Sequence, residues 1–157
     1  MIKQYDTIEL KIDNKLNDES AAWLGDFNRC GIVINGKDIL EYITETQIKI
    51  LNQKNREDKP MDYCHLIPSE LYEYLQEARL SNGTEKAMLV CCSCGIAECD
   101  SIEALIVYTD NSVIWKDFNR IRCSDDYGLY FEFKKTQYQE FVDELRNTPD
   151  KNEVVLT

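Results

Sequence analysis

Two apolar runs, Ala104 to Tyr108 and Val113 to Trp115, stand either side of the turn-forming residues Thr109-Asp110-Asn111-Ser112, an arrangement that predicts a β-hairpin. Other stretches read as strands around it. Ile8, Leu10 and Ile12 alternate with Glu9, Lys11 and Asp13, the period-2 pattern of a strand with one face buried. Cys30 to Ile34 is a second candidate, and Leu129, Phe131 and Phe133 alternate with Tyr130 and Glu132 in another. Ala87 to Cys91 is a short continuous apolar run, as expected of a central strand covered on both faces. Trp115 to Phe118 reads as an irregular strand-like piece.

Helix signals fall between these runs. Asn35-Gly36 turns the chain, and Asp38 with Glu41 forms an N-cap pair ahead of Leu40, Ile43, Ile50 and Leu51. Pro68 suits the first turn of a second helix, which places Leu71, Tyr74, Leu75 and Ala78 on one face until Asn82-Gly83 stops it. Thr136 with Gln139 has the form of a capping box for a last helix, whose apolar face is Tyr138, Phe141, Val142 and Leu145 and whose end is marked by Asn147 and Pro149. The polar run Asn52 to Pro60 reads as a flexible loop. Strands joined by short turns favour an α+β fold: a mainly antiparallel sheet with about three helices packed on it, in one domain spanning residues 1–157.

The opening residues Met1 to Asp6 carry no apolar signal core, and no stretch is long enough to span a bilayer, so neither secretion nor membrane insertion is expected. Seven cysteines is an odd number, which favours reduced thiols, metal ligands or small buried hydrophobes over a disulfide framework and places the chain in the reducing cytoplasm. The net charge of −11 is uneven: residues 1–60 hold 9 basic and 11 acidic side chains, leaving 9 basic and 18 acidic for residues 61–157. Such a surface repels phosphate backbones, which argues against nucleic acid, and attracts a basic protein partner. Solubility alone also accounts for an acidic excess.

The chemically loaded segment is Cys91-Cys92-Ser93-Cys94-Gly95-Ile96-Ala97-Glu98-Cys99, at the passage from one strand to the next. Strand neighbours point to opposite faces, so Cys91 is assigned to the core, continuing Leu89. Cys92, Cys94 and Cys99 remain, in a C-x-C-x4-C spacing where Gly95 can take the tight turn. Three thiolates could hold zinc, which favours soft sulfur in a tetrahedron; Cys123, His65, Asp100 or water would complete it. A redox pair of Cys92 and Cys94 is the second reading, and thiols simply filling tight space between strand ends is the third.

His65 is the only histidine, which restricts acid–base schemes, and a neighbouring Cys64 would point away from it on an extended segment. Asp125-Asp126 lack the regular alternation of a calcium loop and read as a solvated turn before Tyr127-Gly128. Trp115, Phe118, Tyr127 and Tyr130 are explained first by core and sheet packing. No phosphate-binding glycine loop, G-x-S-x-G elbow or H-E-x-x-H helix occurs.

The stretch C-S-C-G-I-A-E-C at 92–99, followed by Val113-Ile114-Trp115-Lys116-Asp117-Phe118, then Tyr130-Phe131-Glu132-Phe133 and Gln137-Tyr138, resembles a family of uncharacterised bacterial proteins. That family carries a C-x-C-G-x-x-x-C turn, a V-x-W-x-D-F strand and an F-x-F…Q-Y strand-to-helix step. The resemblance covers roughly residues 65–146 and implies the fold and the association of the cysteine turn with the Trp115 strand, not a reaction. Cys64, Cys91 and Cys123 lie outside the pattern. The functional expectation is a non-catalytic bacterial interaction protein, immunity-like in binding a basic partner, whose Cys92, Cys94 and Cys99 either bind structural zinc, with Cys123 a candidate fourth ligand, or pack as reduced thiols. The alternative is a thiol- or metal-dependent enzyme using the same turn.

Overall fold

The structure, a computed structural model, describes residues 3–13, 27–92, 100–123 and 125–151. Eight strands and three helices follow one another along the described chain: β1 (Ile8–Asp13), β2 (Arg29–Ile34), β3 (Lys37–Asp38), α1 (Ile39–Gln53), β4 (Tyr63–His65), α2 (Pro68–Ser81), β5 (Lys86–Cys92), β6 (Ser101–Tyr108), β7 (Ser112–Arg120), β8 (Phe131–Lys134) and α3 (Lys135–Arg146). The expected α+β class holds. The strands form two antiparallel sheets, one ordered β1-β2-β3 and one ordered β4-β5-β6-β7-β8.

Local sequence explains most of these elements. Asn35 and Gly36 both have positive φ, 54° and 78°, which turns β2 directly into β3 as an Asn-Gly hairpin does. Asp38 caps α1 by accepting the Leu40 amide at 2.8 Å. Pro68 opens α2, and Asn82 in the left-handed region closes it. α2 has no cap of its own, because Ile67 precedes it; Asp150 supplies one from elsewhere in the chain, its carboxylate accepting the Ser69 amide at 2.8 Å.

Three elements depart from the local signals. β7 is one strand of nine residues rather than two pieces, because Asp117, at φ 53°, sits in a bulge that lets Trp115 and Phe118 both be buried. β4 is too short for alternation to show, yet it forms an edge of the larger sheet. Thr136 is not the cap of α3: β8 runs straight into the helix, the N-cap position falls on Lys134, which makes no side-chain cap bond, and the Lys135 amide donates to the Asn111 carbonyl.

The sheets are tied together at two places. The Cys30 amide donates to the Leu66 carbonyl, joining β2 to the end of β4, and Asp6 bridges to Phe133 of β8. Gln137 of α3 adds a side-chain substitute for sheet pairing, its amide donating to the Ile8 carbonyl while its oxygen accepts the Ile8 amide. α2 packs on β5 and β6, α3 on β1, β7 and β8, and α1 on β2 and β3. Buried side chains from both sheets and all three helices form one core, in which Trp115, Phe133 and Tyr138 meet at ring distances of 5.4–6.0 Å. Among the described residues no helix is long and apolar enough to cross a membrane.

Candidate functional site

Of the expected zinc ligands, Cys92 is the last residue of β5 and buried, its amide bonded to the Asp100 carbonyl at 2.8 Å. This bond closes the root of the cysteine turn. Cys94 and Cys99 lie outside the described residues. Among the described residues no group of three or more His, Cys, Asp or Glu side chains could hold a metal ion.

Two of the proposed completing ligands have other partners. The Asp100 carboxylate is buried and takes Arg120 Nε at 2.9 and 3.1 Å, a terminal guanidinium nitrogen at 2.7 Å and the Tyr63 hydroxyl at 3.3 Å. This pairing raises the Arg120 pKa, while burial, reinforced by Asp100, raises that of Tyr63. His65 is also buried, with Nε2 3.1 Å from Asp38 Oδ2. Burial alone would raise the Asp38 pKa, but the bonds from His65 and the Leu40 amide outweigh it and the net shift is downward. Gly31 makes this approach feasible: a Cβ there would lie 3.4 Å from His65 Nε2 and 2.9 Å from the Lys11 carbonyl oxygen.

Cys123 is exposed, after β7, and lines a cavity of about 200 Å³ between that loop and the segment following α1. Lys54, Arg56, Lys59 and Arg120 stand in the same wall with Asp58 and Asp125, and Lys54 pairs with Asp125, Arg56 with Asp58 and Arg120 with Asp100. Tyr127 and Gln47 reach the floor, where Gln47 Nε2 donates to the Tyr127 hydroxyl at 3.1 Å.

A second concavity, an open groove of about 410 Å³, runs beside α1 and is lined by Leu40, Glu41, Thr44, Glu45, Asp62 and Tyr63. Three carboxylates here surround an apolar floor. Acidic side chains elsewhere are also on the outside: Asp100 is the only buried carboxylate among the described residues, whereas Arg29 withdraws a positive charge into the core.

Sequence reasoning missed two associations of the region around β4. Arg29 is 2 % exposed and gives one terminal N–H to the His65 carbonyl at 3.1 Å, while its Nε and other terminal nitrogen have no hydrogen-bond partner among the described residues. Cys64 faces Cys91 across the β4–β5 ladder, with sulfurs 3.6 Å apart. Cys91 is core, as its position predicts, but it is half of a pair. The Cys91 thiol donating to Cys64 lowers the Cys64 pKa against the effect of burial, and raises its own. The available signal was Gly31 inside an apolar strand, which marks close approach by another group; the partners themselves depend on sheet register.

Around His65 the ring is held from one side: Nε2 faces the Asp38 carboxylate, and Nδ1 is buried with no hydrogen-bond partner among the described residues. Comparison with protein-family models, with curated proteins and with solved structures gives no match for the chain.

Proposed function

We propose that this is a non-catalytic interaction protein that binds a basic protein partner through its acidic surface, in the manner by which an immunity protein neutralises a toxin. The carrying observation is the groove beside α1. Glu41, Glu45 and Asp62 line it above Leu40 and Tyr63, so an arginine or lysine stem can lie on the apolar floor with its charged end among carboxylates. Glu45 pairs with Lys37, and Glu41 and Asp62 are the groove carboxylates to alter together.

The test is capture from the native cell at low salt, with wild type beside a Glu41→Gln/Asp62→Asn variant and a Glu73→Gln/Glu77→Gln variant on the exposed side of α2. The expected result is one basic protein held by wild type, released by salt, and bound about tenfold or more weakly by the groove variant, equivalent to about 1.4 kcal/mol. A partner bound equally by the groove variant overturns this reading.

The cysteine turn enters as structure. In this reading Cys92, Cys94 and Cys99 hold one zinc, whose role is to fix the passage from β5 to β6. Metal analysis of protein purified without chelator should give one zinc per chain, lost in Cys94→Ser. Metal-free wild type refutes the zinc.

A further inference from the structure

Cys64 and Cys91 are direct partners on neighbouring antiparallel strands, and no chain rearrangement is needed to bring their sulfurs within 3.6 Å. A disulfide requires closure to about 2.05 Å, a movement that side-chain rotation and small backbone adjustments can share. Cys64 also donates to the Cys92 carbonyl at 3.3 Å, so the pair is connected to the root of the cysteine turn.

We propose that Cys64 and Cys91 are a redox couple that peroxide closes reversibly into a cross-strand disulfide. The first step is attack by the Cys64 sulfur on one oxygen of hydrogen peroxide. An S–O bond forms, the O–O bond breaks, and the departing hydroxide with the proton given up by Cys64 becomes water. The Cys91 sulfur then attacks that of Cys64: an S–S bond forms, the S–O bond breaks, and the leaving hydroxide takes the Cys91 proton as a second water. The two thiols lose two electrons and peroxide gains them. Closure removes the Cys64 thiol hydrogen from the Cys92 carbonyl, so the turn root senses the redox state.

The full wild-type chain is treated with excess hydrogen peroxide, quenched with an alkylating agent under denaturing conditions, digested, and mapped by tandem mass spectrometry. The expected product is a linkage between Cys64 and Cys91, lighter by two hydrogens, that dithiothreitol reverses. Its closed loop should raise the urea midpoint of the oxidised chain relative to the reduced one. Alkylation of both Cys64 and Cys91 after peroxide treatment, with oxidation confined to the exposed Cys123, overturns the proposal. Linkage of Cys64 to Cys92 in place of Cys91 overturns it as well. Cys91→Ala in a chain that still folds should leave Cys64 without a disulfide partner and abolish the midpoint shift; persistence of that shift is also contrary to the proposal.

Discussion

Asp38→Ala removes two interactions made by one carboxylate. Its Oδ1 accepts the Leu40 amide at the start of α1, and its Oδ2 meets His65 Nε2. Loss of an N-cap costs about 1 kcal/mol, within a range of roughly 0.5–2. His65 is 7 % exposed and its Nδ1 is already unpartnered, so the ring also loses the bond that satisfies its other nitrogen. An orphaned buried polar group costs about 1–3 kcal/mol; the lower half applies here, because the Asp38 side chain is 28 % exposed and water can enter the vacated space. The sum is about 2–3 kcal/mol. Asp38→Asn keeps a good cap and an oxygen near the ring, so it should cost about 1 kcal/mol or less. Equilibrium urea unfolding followed by tryptophan fluorescence, to which the fully buried Trp115 contributes alongside Trp23, measures both changes. The sign with pH is fixed by linkage. The folded pKa of Asp38 lies below the ordinary 3.8, so its stabilisation is fully present above 3.8 and is lost as pH falls through the folded value. The gap between wild type and Asp38→Ala should therefore narrow on acidification below 3.8. An Asp38→Ala cost under about 0.5 kcal/mol, or equal costs for Ala and Asn, refutes the assignment of His65 and Asp38 as a structural pair.

Gly31→Ala should destabilise by about 1–3 kcal/mol, because its Cβ would fall 2.9 Å from the backbone oxygen of Lys11 on the paired strand; an unchanged urea midpoint disproves the close approach. Trp115→Phe should lose about 1–3 kcal/mol through reduced volume and loss of the indole N–H bond to Tyr138, read by chemical denaturation followed with circular dichroism; a smaller loss means the core repacks freely. Arg120→Ala should cost about 1–3 kcal/mol by leaving the buried Asp100 carboxylate with Tyr63 alone, a value below that of a sealed ion pair because the Arg120 side chain is 42 % exposed; a neutral effect in urea unfolding shows that water replaces the guanidinium.

Signals confined to a few neighbouring residues were legible in the sequence. Asn35-Gly36, Pro68 and Asn82-Gly83 act through their own backbone preferences, and the apolar runs of β5 and β6 need only their neighbours to be recognised. Where the physics is non-local, the sequence was silent or misleading. Thr136 and Gln139 have the spacing of a capping box, but the run of β8 into α3 moves the helix start to Lys134 and places Thr136 inside the first turn. Tyr63–His65 is too short for periodicity and becomes a strand through pairing with β5. The cysteine turn could be recognised as a local cluster. The association of Cys64 with Cys91, and of His65 with Asp38, required a register that no local pattern contains.

The four residues Tyr63 to Leu66 show why a short edge segment can dominate this architecture. Tyr63 joins the Asp100–Arg120 pair, Cys64 meets Cys91, and His65 binds Asp38 through its ring and Arg29 through its carbonyl. Leu66 accepts the Cys30 amide and so carries β2 onto the larger sheet. Alternating side chains therefore connect opposite surroundings within about two turns of the strand pleat, and the backbone connects the sheets. His65 and Asp100 are buried within this junction, whereas the carboxylates lining the groove beside α1 stay outside the core. The Cys64–Cys91 pair occupies the point where these two properties meet: it lies within the junction, yet its reversible closure would stiffen the strand that also supplies Tyr63 to the groove floor.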